Sequence, residues 1–444
     1  MRYFKKFLSF AALVLLLLSC SSDNDGPGNI ALTITGFEPS YSAVSLQWQL
    51  QRPSDLIVTS LRIYRLAQNG DDEDMQVPVQ IANLPSNETT YTDNDVPYYK
   101  EVTYKVVITY QDIDDDSGVT TRELQSDLRT FTRPLVSFPW IPLDVQKDPL
   151  NDDIFHILDK AGSGTLTRYS WSDKSIAATH HFTGAGWTLN NRFQFADGNV
   201  FVCDVNGGIT RLNKDNYAVN GNYNAVINDK LNAFSIEGDR IYYQDNNVWN
   251  YYEMSTGSSV SSGITTDAVY AEMLSEHKVL FLFTQGMRVL GYSPQTCTAT
   301  ECFPVFYPDS HSFSLPPYAV DPYIFTWNHS RQKCITSYNG RIFNINTFEQ
   351  EANLNEITGK HYIQFAFDTA GNIYGSVQGE KIIHKFNSNY ELIASIPTKL
   401  YPVFPMVTDS GLQALGAYHP IDYWGFVYGY EFNFNVKGAI EVFE

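Results

Sequence analysis

Cysteine is scarce: five in 444 residues, too few for a fold built on disulfides. Charge is sparse and one-sided, with 30 Lys and Arg against 49 Asp and Glu and a formal net charge of −19. A chain that cannot offer a basic face does not track a phosphate backbone, which excludes nucleic acid as a partner. The longest apolar run, Phe7 to Leu18, is too short to span a bilayer as a helix. Nucleophile elbows, zinc-protease helices, phosphate loops and dinucleotide fingerprints are all missing, so no cofactor is expected. The only histidine pair, His180-His181, puts its two rings on opposite faces of a strand and so does not chelate one metal. Apolar residues are plentiful at 43 %, aromatics reach 14 % and Tyr alone numbers 29. That is enough for a real core and argues against a mainly disordered chain. The length suits two or three domains, or one small domain followed by a large all-β one.

The N-terminus reads as a secretory signal: basic through Lys6, apolar to Leu18, then Ser19-Cys20. Leu17-Leu18-Ser19-Cys20 resembles a bacterial lipobox, which implies removal of 1–19 and diacylation of Cys20; the alternative is an ordinary signal peptide with an incidental Cys. Two or three acyl chains suffice for stable attachment without a transmembrane segment. Residues 20–29 form an acidic, Gly- and Pro-containing tether. Its start resembles the acidic export signal of Bacteroidetes surface lipoproteins, implying an outer-membrane, lipid-anchored protein displayed at the cell surface. Loss of 1–19 removes Arg2, Lys5 and Lys6 and takes the net charge from −19 to −22. Anionic lipid repels such a surface, so the acyl chains are the only evident membrane contact.

Residues 30–134 alternate apolar and polar positions in about seven short runs with turns between them, the pattern of an antiparallel sandwich. Trp48 in Val44-Ser45-Leu46-Gln47-Trp48, Tyr64 in Leu61-Arg62-Ile63-Tyr64-Arg65, Leu84-Pro85 ahead of Tyr91, and Tyr104-Lys105-Val106 resemble the second-strand Trp, third-strand aromatic and tyrosine-corner strand of a fibronectin type III domain. The resemblance implies a spacer or interaction module without chemistry of its own. Asp112, Asp114, Asp116 and Glu123 have the spacing of a calcium loop, but Ser117 stands where its glycine belongs. An acidic hairpin tip is the simpler reading; a calcium site at these four residues is the alternative.

Residues 135–444 repeat. A turn followed by a β-rich run recurs at 153, 198, 238, 278, 332, 371 and 411, with intervals of 45, 40, 40, 54, 39 and 40. A period near 40 with about four short strands per unit is that of a β-propeller blade, most simply seven blades. Gly208-Ile209-Thr210-Arg211-Leu212, Gly340-Arg341-Ile342-Phe343-Asn344-Ile345 and Tyr362-Ile363-Gln364-Phe365-Ala366-Phe367 resemble blade strands of the YVTN/NHL/quinoprotein-like propellers. Two stacked sandwiches are the alternative. The long interval carries an insert at about 294–323, with Cys297 and Cys302 close enough to form a disulfide in an oxidising compartment. Cys203 and Cys334 fall within apolar runs, where the thiol acts as a small core group.

The expected architecture is therefore all-β, an immunoglobulin-like sandwich followed by a propeller. Aromatic and amide groups just before the expected innermost strands, Trp187, Tyr270, Trp327, Asn328, His361, Tyr362 and Tyr401, suit sugar rings or extended peptides. Packing between blades is the plainer role for each. The expected function is non-catalytic: binding or scaffolding at the outer membrane, with a protein partner of an envelope complex or a surface glycan held by the propeller. The alternative is a propeller enzyme, a glycan lyase or hydrolase using channel carboxylates.

Overall fold

The computed structural model describes residues 30–443 apart from 54–55, 69–76, 115–117, 160–163, 184–191, 204–207, 225–232, 266–267, 269, 284–285, 293–298, 307–319, 322, 329, 348 and 422–435. The described chain is all-β; among these residues the one helix is the short turn Leu354–Thr358. It divides into two compact units between Arg133 and Pro134.

The first unit is a two-sheet antiparallel sandwich. One sheet holds Ala31–Pro39, Val44–Gln51 and Thr90–Asp93; the other holds Val79–Leu84, Ile57–Gln68, Glu101–Asp114 and Gly118–Gln125, with Arg129–Thr132 also pairing Glu101–Asp114. Alternation along Val44–Gln51 places Val44, Leu46 and Trp48 in the core and their neighbours outside. Tyr104 is fully buried, and its hydroxyl donates to Asp93 Oδ2 at 2.8 Å, where Arg65 Nη1 also bonds at 2.7 Å. Burial, helped by the Asp93 charge, pushes the Tyr104 hydroxyl far up its scale.

The second unit is of the propeller type. Seven four-stranded antiparallel sheets follow one another among the described residues. Their first strands are Asp144–Lys147, Gln194–Ala196, Phe234–Glu237, Tyr270–Ser275, Phe325–Trp327, Tyr362–Phe367 and Tyr401–Thr408. The seventh sheet takes its outermost strand from Ser137–Phe138, ahead of the first sheet, which pairs with Gly438–Val442. All seven recurrent turns read from the sequence are the hairpins between first and second strands. At Asp197-Gly198 both φ values are positive (48° and 72°), the geometry that matches strand twist in a tight hairpin.

Second strands such as Ile154–Asp159 and Asn199–Cys203 are buried throughout, because neighbouring sheets cover both faces; a fourth strand such as Ser175–His181 is mostly exposed. Burial is more complete in these second strands than in first strands such as Asp144–Lys147 and Gln194–Ala196. Neighbouring sheets share apolar clusters: Leu166 with Val200, Phe201 with Phe234, Trp249 with Phe281, Leu280 with Phe343. The ring of Trp249 meets Phe281 edge-on at 4.7 Å. Seventh and first sheets are joined by Tyr169, whose hydroxyl donates to Gln413 Oε1 at 2.7 Å. The fourth sheet ends in Ala299–Phe306, so the long interval in the repeat contains a regular outer strand and not only a loop.

Candidate functional site

The first strands converge on an axial cavity of about 220 Å³. Contributions come from the first sheet (Val145, Gln146, Lys147, Phe155), the approach to the second (Arg192), and the fourth to seventh sheets, including Tyr270, Glu272, Trp327, Arg331, Asp368 and Val407. Lys147, Asn328 and Asp368, at or just past the C-terminal ends of three first strands, are among its lining residues.

A buried strut closes its inner side. Arg192 Nε bonds Asp144 Oδ1 at 3.1 Å, and its Nη1 donates to the carbonyl of Phe325, so one guanidinium ties the first, second and fifth sheets across the axis. Gln146 Nε2 donates both to Asp144 Oδ2 (2.6 Å) and to the Phe193 carbonyl (2.7 Å). Gln194 does the same for the third and fourth sheets, donating to the carbonyls of Phe234 and Ala271 at 2.6 and 2.8 Å. Burial lowers the tendency of Arg192 to hold its charge, but Asp144, Tyr270 and Glu272 together more than compensate. Burial raises the Asp144 carboxyl, and Arg192 opposes that rise.

Higher in the cavity, the Tyr270 hydroxyl donates to Glu272 Oε2 at 2.8 Å, and Arg331 Nη2 meets Glu272 Oε1 at 3.3 Å. Burial together with the Glu272 charge pushes the Tyr270 hydroxyl well above its ordinary range. Arg331 also lies 6.0 Å from the Trp327 ring centre. The Trp327 indole N–H is buried and has no acceptor among the described residues. Asp368 accepts from the Asn372 backbone and side-chain amides at 2.8 and 2.7 Å, holding its hairpin closed.

The aromatic positions expected at one rim are divided. Tyr270, Trp327 and Asn328 line the cavity. His361, Tyr362 and Tyr401 do not, although Tyr362 and Tyr401 begin their strands as Tyr270 does. His361 stacks on Tyr338 (4.0 Å, 9°), and Tyr362 is fully buried with its hydroxyl 2.9 Å from His384 Nδ1. Tyr401 carries Lys381 Nζ over its ring at 5.2 Å. Trp327 reaches the cavity from the end of the three-residue strand Phe325–Trp327, and Tyr270 from the start of its own. Trp187, Cys20, Asp116 and Cys297 lie outside the described residues. Arg192, Glu272, Lys147 and Arg331 were missed, since the pairs of Arg192 with Asp144 and of Arg331 with Glu272 join different sheets and leave no local signal.

Asp112, Asp114 and Glu123 lie on a hairpin in which Asp112 faces Thr120 and Glu123 faces Thr109. Three residue steps separate those positions, about 10 Å along the strand. Asp112 pairs with Arg122 at 3.3 Å and Glu123 with Arg62. Cys302 sits opposite Leu290 in an outer strand. Cys334 is a buried thiol pushed far up by desolvation, against Met287 Sδ at 4.0 Å.

No protein-family model matches the chain, and comparison with curated proteins finds no match. Solved structures do resemble it in fold. The RRP9 WD40 repeats align at 9 % identity and a TM-score of 0.46, over 68 % of this chain and 94 % of theirs. The Neurospora crassa Pan2 WD40 domain aligns at 10 % identity and 0.42, over 68 % and 89 %. Dihydro-heme d1 dehydrogenase NirN aligns at 12 % and 0.41, over 61 % of this chain and 59 % of that enzyme.

A second polar cluster ties the first two sheets together away from the cavity. His156, fully buried, has Nε2 3.2 Å from Asp148 Oδ2 and Nδ1 2.7 Å from the Tyr217 hydroxyl; Lys214 Nζ reaches the same Asp148 oxygen at 3.1 Å. Burial lowers His156, although Asp148 pulls the other way. Burial alone would raise Asp148, but hydrogen bonds from His156, the Leu150 amide and Lys214 outweigh it and hold the carboxyl well below its usual range. Unfolded histidine titrates near 6.5. Below that pH the unfolded chain takes a proton that folded His156 refuses, so stability present at pH 7 is lost as pH falls toward 5, by at most about 1.4 kcal/mol per unit. Protonation of Asp148 extends the loss at lower pH. Thermal melts from pH 7.5 to 5 should show a smaller decline in His156→Gln than in the parent chain; parallel curves would remove His156 as the cause.

Proposed function

We propose that the chain is a lipid-anchored, non-catalytic binding or scaffold protein of the outer membrane, displayed at the cell surface, which engages a protein partner or a glycan through its propeller. In this reading a fibronectin type III-like sandwich precedes a closed seven-bladed ring. The strand order of the two small sheets supports the first, and the seven sheets, with the last completed by Ser137–Phe138, support the second. The lipobox at Leu17 to Cys20 supports the anchor.

One observation carries binding over catalysis: the carboxylates of the axial cavity are already committed. Glu272 is held by Tyr270 and Arg331, and Asp368 caps its own hairpin. A hydrolase of the alternative reading needs one carboxyl free to give a proton and another free to take one or to attack. Affinity purification of the tagged protein from detergent-solubilised outer membranes, followed by mass spectrometry, tests the reading. One stoichiometric partner makes the protein an accessory subunit; glycan release from purified polysaccharide by the chain alone would overturn the non-catalytic reading. Cys20→Ala is expected to lose acylation and leave the membrane fraction. Retention of that variant with the membranes would refute the anchor.

A further inference from the structure

We propose that the axial cavity holds one neutral sugar residue, an inference that rests on the binding reading above and names its ligand class. Size comes first. At about 220 Å³ the cavity lies below the roughly 300–1,000 Å³ of pockets for drug-sized ligands, and suits a single small ring.

Charge decides between neutral and anionic ligands. Each cation at the cavity already has a carboxylate of its own: Lys147 has Asp152 at 2.6 Å, Arg192 has Asp144 at 3.1 Å and Arg331 has Glu272 at 3.3 Å. Asp368 adds a further negative charge satisfied by neutral amides. An ionised sugar acid, peptide carboxyl terminus or acidic side chain would therefore shed its hydration without meeting an unpaired counter-charge.

What the cavity has unspent is hydrogen-bond donors beside apolar surface. The buried Trp327 N–H lacks an acceptor, and an unmet buried donor is costly unless a ligand oxygen satisfies it. Among the described residues Arg192 uses Nε and Nη1 but not Nη2. Trp327, Phe155 and Phe367 line the cavity and give apolar surface for the C–H side of a pyranose. Hydroxyl oxygens that accept from Trp327 and Arg192, with ring carbons on the aromatics, use both halves of this surface.

The test is calorimetry on the full-length protein in a detergent without a sugar headgroup. Glucose, galactose and N-acetylglucosamine are titrated beside glucuronate and galacturonate. At least one neutral sugar should bind with a Kd on the order of 1 mM, as expected for so few atoms, and its uronate at least 10-fold more weakly. Trp327→Phe keeps a ring and removes the N–H, and should weaken binding about 5-fold. Trp327→Ala should weaken it at least 10-fold. Uronates binding as tightly as their parents, or binding unchanged by Trp327→Phe and Trp327→Ala, would overturn the proposal. If no sugar binds while the outer-membrane partner is still recovered, the sugar assignment falls and the binding reading stands. If both fail, both fall.

Discussion

Replacing Asp144 by alanine is expected to lower the stability of the propeller unit by about 3–5 kcal/mol, because it strands a buried guanidinium. Asp144 is 4 % exposed and Arg192 18 %, and no other carboxylate bonds Arg192 among the described residues. The remaining partner, the Phe325 carbonyl, does not balance the charge. A domain of this size shifts by roughly 2 °C per kcal/mol, so Tm should fall by about 6–10 °C. The paired substitution Asp144→Ala with Arg192→Met should recover much of that, since removing both charges also removes their desolvation cost. Additive losses in the double variant would show that the two side chains act separately.

The closure of the seventh sheet should be as sensitive. Gly438 pairs with Ala417 on one side and Phe138 on the other. A Cβ there would come within 2.6 Å of Ile141 Cδ1 and 2.9 Å of the Gly416 carbonyl oxygen. Ile141 can turn aside, but a backbone oxygen cannot move without disturbing the strand that carries it. Gly438→Val is expected to cost about 3 kcal/mol, at the upper end of overpacking penalties. Gly438→Ala should cost less. Thermal melts with limited proteolysis measure this: the valine variant should lower Tm by about 5 °C and open the chain to cleavage near 134–141. An unchanged Tm would mean that the sheet closes without close approach at Gly438.

Much of this architecture is legible before any coordinates. The hairpin cues at 153, 198, 238, 278, 332, 371 and 411 mark first-to-second-strand turns because tight hairpins need particular backbone conformations, which Gly198, Gly238, Gly371 and Gly411 supply cheaply. Trp48 and Tyr104 read as core residues because strand alternation fixes the face they occupy. The 54-residue interval was harder to read. Its excess suggested a loop, yet part of it is the strand Ala299–Phe306, whose pairing with Gly286–Tyr292 depends on a partner and not on local propensity.

The candidate site was legible only in its aromatics. Tyr270, Trp327 and Asn328 stood out by residue type, but His361, Tyr362 and Tyr401 were grouped with them because sequence position before a strand does not reveal which rings neighbours such as Tyr338, His384 and Lys381 claim. By itself the sequence determined the all-β class, the change from sandwich to repeat and the acidic surface, since these follow from local periodicity and composition. Tertiary structure alone decided that Arg192 crosses the axis, that each cavity cation has its own acid, and that the Trp327 N–H is left without one. Those facts depend on groups up to 133 residues apart in the chain meeting at one axis, where burial makes every unmatched charge or donor costly.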